Sequence, residues 1–157
     1  MKLEEYYRPR LADAGYDFLA VFSRFEYAMK KGWFRRESYP DAAWPTFAEQ
    51  LPQNFFQKMQ SCEEAQIYFD APPDHLVTTY NGGVAWSDAP LVPNDAASLF
   101  KSIKRARNNL FHGDKKHDND RDTQLMTAAL FVLNEAYKDT EKTEGFDGFL
   151  DAMEFGL

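Results

Sequence analysis

Cysteine, histidine and long apolar runs are scarce in this chain of 157 residues, and each scarcity excludes a class of protein. The single cysteine, Cys62, cannot form an internal disulfide and is typical of a reducing compartment. No run approaches the roughly 18 apolar residues that a membrane span needs, and residues 1–5 are unlike the start of a signal peptide. We therefore expect a soluble, cytoplasmic protein that has no membrane partner.

Histidines number only three, which leaves little material for a metal centre. His75 and His117 stand at no ligand spacing from carboxylates or from Cys62, and a zinc site at His112 and His117 would need distant acids. The segment Asn81-Gly82-Gly83 lacks the lysine and the following helix of a phosphate-binding loop. We expect neither a metal nor a cofactor.

The net charge of -7 argues against a polyanionic partner, but the distribution of the charges does not. Residues 101–117 contain six cations and one acid, a local charge of +5 that leaves -12 for the rest of the chain. Such a basic island can bind a phosphate backbone locally. Alternatively, it is a solvated helix end whose cations complement the helix dipole. Besides Arg107, the cations that we take as candidates for binding the phosphates of a nucleic acid are Lys101, Lys104, Arg105, Lys115 and Lys116.

Apolar residues recur at helical spacing along most of the chain, which predicts a single all-α domain over residues 1–157. The expected architecture is an up-and-down bundle of four to five helices. The predicted helices are Asp13 to Lys31, closed by Gly32; two that begin near Pro45 and Pro52, the second reaching about Tyr68; one from Asn94 or Asp95 to near Gly113; Asp120 to Lys138; and a short amphipathic helix in the acidic tail 141–157.

Residues 71–93 interrupt this helical pattern with prolines and glycines. Leu76 to Tyr80 and Val84 to Trp86 flank Asn81-Gly82-Gly83, an arrangement typical of a short β-hairpin or an ordered loop. We interpret this segment as an insertion between the second and third major helices, because it is too short to form a domain.

The strongest candidate for chemistry is the run from Arg107 to Gly113, which has the sequence RNNLFHG. On a straight helix Arg107 lies about 40° from Ile103, at the border of the core, and about 140° from His112. The two side chains therefore meet only if the helix loosens or ends before His112, if the arginine wraps round the helix, or if a second copy of the chain supplies one of them.

Structural roles for the same residues are also open. Arg107 can pair with an acid such as Glu26, which we take as the supporting acid, while His112 caps the helix end. Trp33, Phe34 and Trp44, near two arginines, can either stack on nucleic-acid bases or pack in the core.

The run from Arg107 to Gly113 resembles the signature of the HEPN superfamily, an arginine, a polar residue, a short spacer and a histidine near the end of a bundle helix. Residues 23–30, SRFEYAMK, resemble the first-helix segment of bacterial HEPN proteins. The resemblance implies a helical bundle that dimerises and, in many members, metal-independent endoribonuclease activity. By motif, Arg107 would stabilise the transition state, His112 would act as general acid or base, and Asn108 would orient the pair or the RNA.

We accordingly expect a homodimeric ribonuclease that cleaves RNA by attack of a 2′-hydroxyl. In that case the protein is a toxin or effector of bacterial defence or of a toxin-antitoxin system, with a cognate antitoxin or nucleotidyltransferase as partner. Two alternatives are a non-catalytic HEPN module that binds RNA or a partner protein, and a generic helical adaptor. The acidic composition and the 71–93 insertion depart from the family pattern.

Overall fold

The chain is mostly helical in the computed structural model, as predicted, and it carries one small sheet. The structure describes residues 2–8, 11–87, 89–112 and 120–154, and for residues 6, 7, 111 and 112 it describes the backbone alone. In chain order the elements are α1 (Leu3–Tyr7), α2 (Asp13–Lys31), α3 (Trp44–Gln50), α4 (Phe55–Ser61), a 3₁₀ turn (Glu63–Ala65), α5 (Ile67–Asp70), β1 (His75–Thr78), β2 (Val84–Ser87), α6 (Ala96–His112), α7 (Asp120–Thr140) and α8 (Asp147–Glu154).

Helix α2 confirms the prediction from apolar spacing. Phe18, Phe22, Phe25 and Met29 lie on one face and are buried, as the three- and four-residue spacing requires. The helix ends at Gly32, whose N–H donates to the carbonyl of Ala28 at 2.8 Å. A Cβ at Gly32 would lie 2.7 Å from the backbone nitrogen of Phe149, so glycine is needed for α8 to approach the end of α2.

The continuous helix predicted up to Tyr68 is wrong, because the chain leaves the helical conformation at Cys62 (φ -89°, ψ 125°). The Gln66 side chain donates to the carbonyls of Gln60 (2.6 Å) and Cys62 (3.0 Å), which stabilises the break. Beyond it, Tyr68 is buried and its hydroxyl donates to the Leu125 carbonyl of α7 at 2.9 Å. The break thus turns Tyr68 into the core, and burial raises the pKa of its hydroxyl.

The predicted hairpin is present, with slightly different bounds. Strands β1 and β2 pair antiparallel, with His75 opposite Ser87 and Thr78 opposite Val84. The turn is closed by a hydrogen bond from the Thr79 N–H to the Gly83 carbonyl (2.9 Å), and Gly82 adopts φ 79°, a left-handed conformation that glycine tolerates best.

The core is built from aromatic side chains of α2, α3, α6 and α8. Trp44 stacks on Phe100 at a centroid distance of 5.2 Å, and Phe47 lies 5.1 Å from Phe149. Helix α2 packs against α7 and α8, and α3 packs against α6. The up-and-down order of a bundle stays a prediction. Among the described helices, none combines the length and the apolar character needed to cross a membrane.

The acidic tail forms α8, as predicted, and α7 extends to Thr140, slightly beyond its predicted end. Phe146 and Phe149 of the predicted apolar stripe are fully buried, while Leu150 and Met153 are partly buried against the core. The tail is therefore docked on the helices by its aromatic residues as far as Glu154. Residues 155–157 lie outside the described chain.

Candidate nucleic-acid interface

Helix α6 carries most of the residues that the sequence singled out, and its start is fixed by a capping box. The backbone N–H of Ser98 donates to the Asp95 carboxylate at 2.7 Å, and the Ser98 hydroxyl lies 3.0 Å from the Asp95 N–H. Hydrogen bonds to the Asp95 carboxyl from the Ser98 side chain, and then from the Ser98 backbone N–H, lower the pKa of Asp95 below its ordinary value. Of the two predicted caps, Asp95 thus makes the N-cap contact.

The helix presents two faces of opposite character. Leu99, Phe100 and Ile103 are fully buried against the core. Lys101 and Lys104 are exposed on the other side of the helix. This separation follows from the 3.6-residue period, which places Lys101, Arg105 and Asn108 within about 60° of one another.

The polar face of α6 lines a cleft of about 840 Å³. Its other walls come from the segment that leads into α3 and from the start of the hairpin. The cleft is lined by Ala42, Trp44, Pro45, His75, Leu76, Asn94, Asp95, Ala97, Ser98, Lys101, Lys104, Arg105, Asn108 and Asn109. The structure therefore brings together three of the five predicted RNA-binding cations, together with Asn108.

Arg105 is the most enclosed of these three cations. Its side chain is partly buried, and this desolvation lowers the pKa of the guanidinium from its ordinary value. Because that value is so high, the group keeps its charge at neutral pH. A partly desolvated guanidinium interacts with an anion more strongly than a fully hydrated lysine does, so we expect Arg105 to bind an anion more strongly than either lysine of the cleft.

Arg107 lies on a different side of α6. Its guanidinium carbon is 5.7 Å from the centroid of the buried Phe22 ring on α2, a cation–π contact. The same guanidinium donates through Nη1 to the Asn108 side-chain oxygen at 3.2 Å. Arg107 thus borders the core, as the helical arithmetic predicts, and it is joined to the cleft through Asn108.

Glu26, the predicted supporting acid, belongs to the same α2 surface. Its carboxylate accepts a hydrogen bond from the indole Nε1 of Trp44 at 3.0 Å. Within the part of the chain that the structure describes, no ion pair joins Glu26 to Arg107. Glu26 therefore positions Trp44, whose ring forms part of the wall of the cleft.

His112 is the last residue of α6, and the helix does not end before it. Of the three ways to unite Arg107 with His112, an early end of the helix is therefore excluded. Position 112 follows Asn108 by four residues, which on this helix is a rotation of about 40° toward the side of the cleft. The side chain of His112 lies outside the described residues, and so do Gly113, Lys115, Lys116 and His117.

Two further side chains of the cleft were not assigned from the sequence. His75, at the start of β1, is half-buried, and its Nδ1 atom is buried with no hydrogen bond among the described residues. Asn109 donates through Nδ2 to the Asp74 carbonyl at 2.8 Å, which attaches the start of the hairpin to α6. Since 35 residues separate Asp74 from Asn109, no local signal in the sequence could have paired them.

Arg121 of α7 fixes the same segment from the other side. Its guanidinium donates to the carbonyls of Ala71 (2.9 Å) and Pro72 (3.0 Å) and lies 3.7 Å from the Asp74 carboxylate. The segment between α5 and β1 is therefore held by both α6 and α7, so His75 is presented to the cleft from an anchored backbone.

The chemistry available in the cleft is recognition of anions by cations and amides. In comparisons with known proteins, no protein-family model, curated protein or solved structure matches the chain. Within the described residues, no three histidine, cysteine or acidic side chains are grouped as metal ligands.

Proposed function

We propose that the protein is a HEPN-type endoribonuclease that cleaves RNA without a metal ion. One observation carries the proposal: the polar face of α6 lines a cleft with Lys101, Lys104 and Arg105, while the same helix carries the motif from Arg107 to His112. Cations on one wall of a cleft attract the phosphates of a nucleic acid, and these phosphates are also the reacting groups. The HEPN resemblance supplies the reaction class.

In the proposed reaction the ribose 2′-oxygen attacks the adjacent phosphorus. The new O2′–P bond forms as the P–O5′ bond breaks, which leaves a 2′,3′-cyclic phosphate on one product and a 5′-hydroxyl on the other. His112 takes the proton of the 2′-hydroxyl as general base or gives a proton to the leaving 5′-oxygen as general acid, and water completes the other transfer. Arg107 stabilises the charge that grows on the phosphate oxygens. Asn108 orients Arg107, a role that its 3.2 Å contact with the guanidinium supports.

The proposal includes a homodimer. Helix α6 runs through His112, and positions 107 and 112 are about 140° apart on a straight helix. The Arg107 guanidinium contacts Phe22 and Asn108. We infer that the histidine that acts with it comes from a second copy of the chain and not from the same chain. A two-fold axis near the end of α6 would give each site an arginine from one chain and a histidine from the other.

Mixed dimers test both parts of this proposal. Arg107→Ala and His112→Ala should each abolish cleavage of single-stranded RNA while the circular dichroism spectrum stays helical. When the two inactive variants are unfolded together, refolded and mixed at equal amounts, half of the dimers are heterodimers with one intact site, so about a quarter of the wild-type activity should return. EDTA should leave the wild-type rate unchanged. Cleavage that survives either single substitution would contradict the assignment, and no recovery on mixing would contradict the shared site.

The alternative is a non-catalytic HEPN module that binds RNA or a partner protein. The packing of Arg107 on the buried Phe22 ring favours it, because this contact gives the arginine a structural role without chemistry. This alternative predicts that the pure wild-type protein cleaves no RNA at any pH from about 5 to 9, whereas Arg107→Ala lowers the melting temperature.

The biological setting that we propose follows from the resemblance alone. It is a cytoplasmic toxin or effector of bacterial defence or of a toxin-antitoxin system, built as an up-and-down bundle and controlled by an antitoxin or nucleotidyltransferase. Expression of the wild-type chain in bacteria should arrest growth, and the His112→Ala variant should not.

A further inference from the structure

The loop that follows α2 exposes two aromatic rings, each with an arginine over it. Trp33 is 77% exposed, and the guanidinium carbon of Arg35 lies 4.3 Å from the centroid of its indole. Tyr39 is 63% exposed, and Arg36 lies 5.9 Å from its ring. In contrast to these two rings, nine of the phenylalanines are buried in the core.

Trp33 also adopts a backbone conformation that does not suit tryptophan. Its φ of 70° lies in the left-handed region, and the N–H of Phe34 donates back to the Met29 carbonyl at 2.9 Å. This is the Schellman pattern of a helix end, in which the left-handed residue is usually glycine. A bulky residue at that position is strained, and such strain is concentrated at functional sites. The fold alone would therefore favour glycine at position 33.

The exposed tryptophan is joined to the cleft through backbone pairing. Arg35 forms an antiparallel bridge with Ala42, and the Ala43 N–H donates to the Phe34 carbonyl at 2.9 Å. Ala42 lines the cleft of α6. Paired backbone segments lie roughly 5 Å apart, so Arg35 is that close to the wall of the cleft at Ala42. A single-stranded nucleic acid that leaves the cleft across Ala42 therefore reaches Arg35 directly.

We propose that Trp33 and Arg35 form a stacking platform for an unpaired base of single-stranded RNA that leaves the cleft. The base stacks on the accessible indole, and the guanidinium of Arg35, which lies over the same ring, extends the stack. This inference rests on the proposed action on RNA. Phe34 and Trp44, which the sequence grouped with Trp33, are buried and belong to the core.

Charge is not what gives the platform its affinity. Glu37 and Asp41 in the same loop balance Arg35 and Arg36, so the loop is neutral overall. Loss of the indole should therefore weaken binding without changing its dependence on salt, whereas loss of a lysine of the cleft should reduce that dependence.

Trp33→Gly is the decisive variant, because glycine relieves the strained backbone while it removes the ring. The probe is a short 2′-O-methyl single strand of mixed sequence, which cannot be cleaved by attack of a 2′-hydroxyl. We expect binding by Trp33→Gly to be roughly 5- to 150-fold weaker, the range measured for loss of one stacked base. The salt slope should not change, and the melting temperature should be no lower than that of the wild type. Trp33→Phe should keep most of the affinity.

Tyr80, a fully exposed ring at the hairpin turn, provides the matched control. Tyr80→Ala should bind the single strand as the wild type does. The platform is refuted if folded Trp33→Gly binds the single strand like the wild type, or if Trp33→Phe loses as much affinity as Trp33→Gly. It is also refuted if Trp33→Gly weakens the binding of a blunt duplex of the same sequence as much as it weakens the binding of the single strand. Because the probe is not cleaved, a wild-type protein that binds it through Trp33 but cuts no RNA would overturn the nuclease proposal and leave the platform intact.

Discussion

The guanidinium of Arg107 lies over the ring of Phe22, with 5.7 Å between the guanidinium carbon and the ring centroid. Phe22 is buried on α2, so Arg107 closes the polar edge of the core where α6 meets α2. The same guanidinium donates to Asn108, which lines the cleft. A substitution that shortens Arg107 therefore changes packing and charge together. Only an uncharged replacement of similar length changes the charge alone.

Arg107→Met separates the two roles, because methionine keeps an unbranched apolar side chain over Phe22 and removes the charge. We expect it to abolish RNA cleavage and to cost less than about 1 kcal/mol of stability, whereas Arg107→Ala should cost about 1–2 kcal/mol because it removes both the packing and the cation–π interaction. Urea unfolding and a cleavage assay measure the two effects. Cleavage by the methionine variant at the wild-type rate would mean that Arg107 serves the fold alone.

Lys101 and Lys104 should contribute to RNA binding mainly through salt-dependent interactions with phosphates. Both are exposed on the polar face of α6 and line the cleft. For the double variant Lys101→Gln/Lys104→Gln we expect the slope of log affinity against log salt to fall in magnitude by about 0.7 for each phosphate that is no longer neutralised. Lys142→Gln, an exposed lysine after α7, is the control and should not change the slope. An unchanged slope in the double variant would remove both lysines from the interface.

The helices, the hairpin and the polar face of α6 could be predicted from the sequence because each depends on local spacing. Apolar residues at three- and four-residue spacing defined α2, and Asn81-Gly82-Gly83 marked the turn of the hairpin. The break at Cys62 was missed because the contact that it permits is distant: beyond the break, the Tyr68 hydroxyl donates to the Leu125 carbonyl of α7. His75 was missed for the same reason, since only its long-range attachment through Asp74 brings it to the cleft.

Gly32 should be among the least replaceable residues of the fold. Its φ of -82° suits any residue, but an added Cβ would lie 2.7 Å from the Phe149 nitrogen and 2.9 Å from its Cα. Since these are backbone atoms, Gly32→Ala must push α8 away, and we expect a cost of at least about 2 kcal/mol. Amide exchange in α8 should rise in parallel.

Gly82→Ala is the matched control for Gly32→Ala. Gly82 has a positive φ of 79° and open space around its Cβ position, so alanine there should cost only about 1–2 kcal/mol of backbone strain. Exchange in α8 should stay at the wild-type rate. Equal exchange in α8 for the two variants would mean that the close approach to Phe149 does not limit the packing of this helix.

Part of the stability should depend on pH through Glu135. Hydrogen bonds from Lys138 and then Lys58 lower the pKa of Glu135 below 4.5, against the opposing effect of burial. A carboxyl whose folded pKa is depressed contributes stability that is present above its unfolded pKa and is lost as the pH falls through the folded value. We therefore expect Lys58→Gln to lose less stability than the wild type between about pH 6 and pH 3. The control variant Lys142→Gln should show the same dependence of stability on pH as the wild type. If Lys58→Gln also matched the wild type, the ion pair between Lys58 and Glu135 would contribute nothing to stability.

Asn109 should control the cleft through the hairpin. Its side chain donates to the Asp74 carbonyl at 2.8 Å, directly before His75, so Asn109→Ala frees the start of β1 from α6. Loss of one such hydrogen bond costs about 1 kcal/mol, and we expect faster amide exchange in residues 75–78 and weaker binding of single-stranded RNA. Asn134→Ala, an exposed asparagine in the middle of α7, should change neither quantity. If exchange in β1 rises while RNA binding is unchanged, the hairpin wall and His75 take no part in binding; if exchange does not rise, Arg121 alone holds the segment in place.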